Sequence, residues 1–410
     1  MKLGKAELTV IGGGAAGLMC ACTAAARGVD TVLLEPNRML GRKLRITGKG
    51  RCNVTNSCDI KTFMANIPGD GRFLYSALNR LSPADTMAFF QDNGLPLKVE
   101  RGNRVFPVSD NANDVAGLLD RLCRRRGVRV LHGKALEICT DQGAVTGVST
   151  DQGLIQCRAA ALCTGGLSYP LTGSDGTGYA MAEKLGHSVT GLRPSLVPLE
   201  SGDGYCGEMQ GFALKNVTLS AYENNRLIYK ELGEMLFTHF GVSGPIILSA
   251  SAHLRDLAEH PYELSIDLKP ALSEEKLDAR LLRELKEQHT RSFSHIMASL
   301  VPRALIPVLL ENAGIPPTVM ASNLTRQQRL SMVWALKHLP FTITGTRPIA
   351  EAIITSGGVS VKEIDPKTMQ SKKCANLYFA GEVIDVDAYT GGFNLQIAFS
   401  TGVTAGRSME

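Results

Sequence analysis

Gly12, Gly14 and Gly17 stand as GxGxxG directly after the apolar run 7–11 (ELTVI) and ahead of an Ala-rich stretch that ends near Gly28. This spacing is a phosphate-binding turn between a strand and a helix. The first glycine permits the tight turn, the second lets the backbone approach a pyrophosphate, and the third lets the helix seat closely on the strand. A pyrophosphate there rests on free N–H groups at the helix start, where Ala15 and Ala16 stand. A second apolar run, 31–34 (TVLL), ends in Glu35 and Pro36. A carboxylate at this spacing binds ribose hydroxyls and argues against a 2′-phosphate, so NADP is disfavoured and NAD and FAD remain.

The segment 41–56 (GRKLRITGKGRCNVTN) decides between them. It is Gly-rich and basic where a plain NAD domain would run into a helix, and such a loop can lie along an extended flavin dinucleotide. Arg42 and Lys43 are candidates for phosphate or ribityl contacts; Thr47, Gly48, Gly50, Arg51, Cys52 and Asn53 are candidates for the approach to the isoalloxazine. Near the other end, NLYFA runs into Gly381 and Glu382, and Gly391 and Gly392 open an apolar helix that begins with Phe393, Asn394 and Leu395. The carboxylate can hold ribityl hydroxyls, and the helix-start N–H groups can stabilise negative charge on a reduced flavin. The run ALCTGG places Thr164, Gly165 and Gly166 on the pyrophosphate side, and the backbone 133–136, with Ala135, at the adenine. The stretch 173–187 has glycines spaced GxxGxG, which is not a second dinucleotide turn, so NAD(P)H has no standing site in the sequence. Candidate proton donors are Tyr169, His239 and Ser243, and the group Asp385, Asp387 and Tyr389 before the second glycine turn.

These residues need elements to hold them. A helix is expected over 83–94, two short strands over 98–108 turning at Gly102 and Asn103, and an amphipathic helix over 113–126 with Val115, Leu118, Leu119 and Leu122 on one face. Its end, Arg124 to Arg126, suits the negative end of the helix dipole. A strand and a meander turning at the two DQG triplets fill 127–163. The organisation expected is an FAD-binding domain over 1–192 and 357–410, a β-rich inserted domain over 193–270, a helical insertion over 271–338, and a return strand over 339–356. The fold class is α/β: a two-dinucleotide-type, Rossmann-like FAD-binding fold with a compact inserted β domain and a helical insertion.

Of 410 residues, 44% are hydrophobic and 20% charged, which suits a globular chain and not a disordered one. A net charge of +5 tolerates a polyanion without requiring one. No apolar run approaches the roughly 20 residues of a membrane span, and the first strand leaves no room for a cleaved leader, so a cytoplasmic enzyme is expected. Ten cysteines without a CxxC pair or zinc-type spacing point to buried thiols and to no metal.

The motifs VIGGGAAGL, GRKLRITGKGRCNVTN, CTGGLSYPLTGSDGTGY, LFTHFGVSGP, ITSGGV, PKTMQSK and AGEVIDVDAYTGGFNLQIAFSTG run from residue 8 to 406. With them the chain resembles the BaiN-like, YhiN-like family of FAD-dependent flavoproteins; Thr47 and Lys49 stand where related sequences often carry other small or polar residues. The resemblance implies a discontinuous FAD domain with an inserted β-barrel-like domain that carries a small helical domain. It also implies one of three reactions: reduction of a conjugated C=C bond in a steroid-like bile-acid intermediate, reduction of a ribosomal RNA uridine to dihydrouridine, or oxygen-using oxidation of a small amine. The C-terminal motif looks most like the bile-acid branch. The expectation is therefore a cycle in which NAD(P)H, as transient electron donor, reduces FAD, and flavin N5 passes hydride to an enone. The substrate is then a small molecule; RNA is less favoured, for want of a recognisable RNA-binding module, and no membrane partner is expected.

Overall fold

The computed structural model describes residues 2–69, 71–254, 257 and 262–409. The chain forms two compact units, Met1–Ser195 with Pro348–Glu410, and Leu196–Arg347.

The first unit is built on a twisted sheet. Strands Arg129–His132, Thr31–Glu35, Lys2–Ile11 and Gly153–Leu162 lie side by side in parallel, and the short strand Leu377–Phe379 extends the parallel set along the far half of Gly153–Leu162. The near half pairs with the antiparallel hairpin Ala144–Thr150 and Ala135–Asp141. Every residue of Thr31–Glu35 is buried, as a central parallel strand covered on both faces requires. The first strand starts five residues before the apolar run that announces it. Those residues, two lysines, a glycine, Leu3 and Ala6, form no continuous apolar run, yet the ten-residue strand Gly153–Leu162 offers partners along its length and draws them in from Lys2.

Two long helices carry the covering layer. The helix Ala112–Arg125 buries Val115, Leu118, Leu119 and Leu122, starts on an Asn111 side-chain cap, and ends in Arg124 and Arg125. The C-terminal helix Phe393–Ser408 lies against the N-terminal helix Ala15–Ala25. A Cβ at Gly402 would collide with the carbonyl of Ala16, and one at Gly406 would lie 2.5 Å from the carbonyl oxygen of Cys20. These two glycines let the backbones touch, and because both contacts advance by four residues the helices run parallel.

The second unit is a closed six-stranded barrel of Leu199–Ser201, Gly241–Ser243, Arg226–Thr238, Ala213–Glu223, Tyr262–Asp267 and Leu339–Thr346. The helices between the last two strands, such as Glu274–Glu287 and Arg326–Lys337, do not make a core of their own. Leu277, Leu281 and Leu336 share one buried cluster with Phe237, Leu264 and Ile266 of the barrel. The range expected as a helical insertion, 271–338, thus shares a continuous buried cluster with the barrel strands. The short strands Arg193–Ser195 and Ile354–Ser356, expected in the β-rich ranges 193–270 and 339–356, pair with each other inside the first unit. Within 193–270, positions 255, 256 and 258–261 lie outside the described residues.

Among the described residues no helix is long and apolar enough to cross a membrane, no group of His, Cys, Asp or Glu is arranged to hold a metal, and all ten cysteines are free.

Candidate dinucleotide site

The glycine turn joins the first strand to the N-terminal helix. Gly12 takes φ +104°, and a Cβ there would stand 2.5 Å from the Cys163 carbonyl oxygen. A Cβ on Gly17 would run into the carbonyl of Gly12, whereas a Cβ on Gly14 would meet nothing within 4 Å. The first and third glycines are required by the protein's own packing. The second faces open space at the start of a helix whose first-turn N–H groups, from Ala15 and Ala16 onward, lack intrahelical acceptors.

Glu35 ends its strand almost completely buried. One carboxylate oxygen accepts from the Gly13 N–H at 2.7 Å, and the other from the Asn37 backbone N–H at 2.9 Å and side-chain amide at 2.6 Å. Pro36 is exposed beside it. Ala135 begins the strand that pairs with Ala144–Thr150, and the amide just before it, on Lys134, is taken by Asp151 at 3.0 Å.

The segment 41–56 is not the open loop that its glycines suggest. Arg42–Ile46 form a one-turn helix after Gly41 in the left-handed region, and Thr47–Gly50 a 3-10 turn. Gly48, Lys49, Gly50 and Cys52 all have positive φ, so the chain coils tightly here. Arg42 is exposed and donates to the Asn37 side chain at 3.0 Å. Arg51 turns to ion pairs with Glu100 at 2.5 Å and Asp110 at 2.6 Å and stacks on Phe106 at 4.2 Å. Burial pushes the Cys52 thiol up to about 12, so it is neutral at physiological pH. Asn53 Oδ1 is buried with no hydrogen-bond partner, as is Thr164 Oγ1 across the turn that holds Gly165 and Gly166.

Lys43 enters a junction that the motifs do not announce. Its ammonium donates to Glu382 Oε2 at 2.7 Å and to Ser168 Oγ at 2.6 Å, and lies 6.0 Å from the ring centre of Tyr169. The other Glu382 oxygen accepts from Ser168 Oγ at 2.9 Å and from the Thr355 N–H at 2.8 Å, while Thr355 Oγ1 accepts from the N–H groups of Leu167 and Ser168. Ser168 and Thr355 therefore belong to the site. Both lie in the quoted motifs, CTGGLSYP and ITSGGV, but nothing in their local spacing shows that they meet.

Gly381 takes φ +78° and donates its N–H to Thr401 of the C-terminal helix at 2.9 Å. Gly391 and Gly392, both with positive φ, bring the chain over Thr55, so that a Cβ on Gly392 would strike the Thr55 carbonyl. Gly392 caps the C-terminal helix, whose first-turn residues are Phe393, Asn394 and Leu395. The Asn394 amide holds the preceding turn by exchanging hydrogen bonds with the backbone of Ala388, at 2.7 and 2.9 Å.

The parallel register fixes the distance between the two helix starts. Ala16 is two residues from its cap Gly14, and its partner Gly402 is ten residues from its cap Gly392, so the C-terminal helix starts eight residues earlier along the common direction. At about 1.5 Å per residue this is ~12 Å. Two electropositive helix starts separated by that span suit a molecule with a pyrophosphate at one end and an electron-accepting ring at the other. The residues present fit FAD on this count, and on the open space at Gly14 and the unsatisfied oxygens of Asn53 and Thr164.

Of the proton-donor candidates, Tyr169 is 36% exposed, at φ +53°, beside Lys43. Tyr389 is half-buried and tied through its N–H to the Asn66 carbonyl at 3.0 Å. Asp387 is buried and accepts from Ser195 at 2.8 Å. His239 and Ser243 belong to the second unit, His239 exposed in a turn with its ring against Phe240.

A model of the HI0933-like protein Rossmann domain matches residues 6–408. The chain is 30% identical over 410 residues to the 3-dehydro-bile acid delta(4,6)-reductase of Clostridium scindens, covering 98% of each chain. It is 29% identical over 411 residues to the ribosomal RNA dihydrouridine synthase of Haemophilus influenzae, again covering 98% of each. Among solved structures, the fold is shared with 3-ketosteroid delta1-dehydrogenase from Sterolibacterium denitrificans, at a TM-score of 0.54 and 12% identity over 99% of each chain.

Proposed function

From the premise that the chain belongs to the HI0933-like Rossmann-domain family, we propose that it is an FAD-dependent oxidoreductase that reduces a C=C bond conjugated to a carbonyl in a small molecule of steroid or bile-acid type. The observation that carries this reading is chemical. The names of both full-length relatives describe saturation of a C=C bond within a conjugated carbonyl system, although one substrate is a bile acid and the other a uridine in RNA. The likeness of the C-terminal motif to the bile-acid branch supports the small-molecule member of that pair, since identity alone, 30% to the bile-acid reductase and 30% to a second ribosomal RNA dihydrouridine synthase, from Escherichia coli, does not separate them.

When bound, FAD supplies the hydride chemistry, with NAD(P)H as the donor that reloads it. The chain's own residues hold and orient it. The N-terminal helix start would receive the pyrophosphate, Glu35 the ribose, the junction of Lys43, Ser168, Glu382 and Thr355 the middle of the molecule, and the C-terminal helix start the electron-rich edge of the ring. We assign the proton to Tyr169: its side chain is accessible, and its ring lies 6.0 Å from the Lys43 ammonium, beside the junction that would hold the middle of the cofactor.

An anaerobic spectral titration with NADH and NADPH, followed by a steroid enone, tests the reading. Bleaching by a nicotinamide and recovery of colour with the enone are the expected results. Tyr169→Phe should slow the recovery by ~100-fold or more while leaving the bleaching step intact. If air and an amine, and not the enone, drive the flavin cycle, the protein is an amine oxidase and the assignment fails.

A second reading, reduction of uridine in RNA, has one observation in its favour. Arg121, Arg124 and Arg125 line a concavity of about 440 Å³ with Asn93 and Leu118, and only Arg124 has a carboxylate partner, Asp120 at 2.7 Å, among the described ion pairs. Steeply salt-dependent binding of ribosomal RNA, abolished by reversing these charges, would favour it.

A further inference from the structure

The N-terminal helix carries two cysteines two positions apart, which point to different neighbours. Cys20 lies beside Cys163 of the sheet, whereas Cys22 lies beside Cys123 in the last turn of the helix Ala112–Arg125. The second pair has a feature that ordinary buried thiols lack. Arg126, one turn on from Cys123, places Nη1 3.0 Å from Cys22 Sγ and 3.1 Å from the Cys22 carbonyl oxygen. Cys123 Sγ is 3.4 Å from the carbonyl oxygen of Leu18, the residue one turn before Cys22 on the same helix. Two sulfurs and a guanidinium therefore meet between two helices.

We propose that Cys22 and Cys123 are a dithiol site oxidised by hydrogen peroxide to a reversible disulfide, with Arg126 activating Cys22. The Cys22 thiolate attacks one peroxide oxygen; an S–O bond forms as the O–O bond breaks, and the departing hydroxide takes up a proton and leaves as water. The Cys123 sulfur then attacks Cys22, the S–S bond forms, the S–O bond breaks, and a second water leaves with the Cys123 proton. In total, two thiols lose two electrons and two protons, and one peroxide becomes two waters.

Charge and hydrogen bonding favour this order. Cys22 is held below the ordinary thiol range, chiefly by the hydrogen bond from Cys123 and further by Arg126, against the opposing effect of burial. Cys123 is driven upward by the same partnership and by burial, so it keeps its proton and serves as the resolving thiol. Both sulfurs are buried, but the cover is thin. Arg126 is exposed at the helix C-cap, so opening of that last turn is the route by which peroxide would reach Cys22.

The cross-link would act on the dinucleotide site from outside it. The helix Ala112–Arg125 touches the basic segment at its other end, where Arg45 donates to Asn113 at 2.9 Å and Gly41 adjoins Ala116. A disulfide would tie the glycine-turn helix to the element that backs this segment.

The test is peroxide treatment of the FAD-loaded protein under native conditions, followed by denaturation, thiol counting and peptide mapping. The expected result is loss of two of the ten thiols, a mass lower by two hydrogens, a Cys22–Cys123 peptide, and full recovery with dithiothreitol. Arg126→Gln should slow the loss without changing its end point, and Cys22→Ser should abolish it while Cys20→Ser does not. The proposal is overturned if thiols are lost only after unfolding, if the bridge maps to Cys20 and Cys163, or if Arg126→Gln reacts at the wild-type rate. Wild-type mapping decides the matter even if a serine variant folds poorly.

Discussion

At the level of single residues, the three turn glycines have different duties, and substitution separates them. Gly14 has helix-cap dihedrals that any residue can adopt, with φ −80° and ψ −167°, and empty space where a Cβ would go. Gly14→Ala should therefore leave the thermal midpoint of the FAD-free protein nearly unchanged while weakening FAD binding by about tenfold or more, roughly 1.4 kcal/mol. Gly17→Ala should lower the midpoint even without FAD, because the new carbon overlaps the Gly12 carbonyl and overpacking costs about 1–3 kcal/mol or more. Equal loss of stability in both would refute the assignment of the open space to a ligand. At the junction, Glu382→Gln keeps the shape but strands the partly buried Lys43 ammonium. A destabilisation of about 1–3 kcal/mol in denaturant melts is expected, with Lys43→Met restoring part of it in the double variant. The glycine turn and Glu35 were legible in the sequence because their chemistry is local. Ser168 and Thr355 were not, since they come together only through a contact that spans 187 positions.

Among the elements, the segment Val361–Cys374 is held to the rest of the first unit by His187. Its Nε2 lies 2.9 Å from Ser371 Oγ and its Nδ1 3.3 Å from Glu363, which is also paired with Lys373 at 2.6 Å. Burial lowers the His187 pKa below its usual 6.5, against the attraction of Glu363, and Glu363 is held down to about 2 by its hydrogen bonds with Lys373 and Ser188 despite partial desolvation. Both groups have depressed folded-state values, so both contribute stability that is present at neutral pH and lost on acidification. The histidine share goes as pH falls below about 6.5, the glutamate share below about 4.5 and down toward 2. Thermal melts from pH 8 to 5 should show a falling midpoint, and His187→Asn should flatten the upper part of that slope. An unchanged slope would mean that another group titrates there. The amphipathic helix could be read from its periodicity, and the C-terminal helix from its glycine turn. The one-turn helix at Arg42–Ile46 could not, because five residues carry no period, and the first strand's start at Lys2, ahead of its apolar run, follows the length of its neighbour.

For the whole molecule, two separate hydrophobic cores mean two sources of cohesion. If FAD is held by the first unit, its binding energy stabilises that unit by mass action: about 2.7 kcal/mol at a free concentration 100 times the dissociation constant. Hydrogen exchange with and without FAD should slow strongly across residues 1–195 and 348–410 and much less in the core strands of the barrel; equal protection of both would show that the units unfold as one. The sequence pattern conveyed the discontinuity of the first unit because the glycine motifs lie at its two extremes. It did not convey that helices and barrel share one core, since side chains from 277 to 336 declare their helical period but not their partners. The touching backbones at Gly402 and Gly406 also set a gauge. By fixing how far one helix start stands beyond the other, they would favour a cofactor long enough to reach both, which FAD is and FMN or a bare ADP group is not. The span between the two helix starts is thus set by two hydrogens in place of two methyl groups, at Gly402 and Gly406.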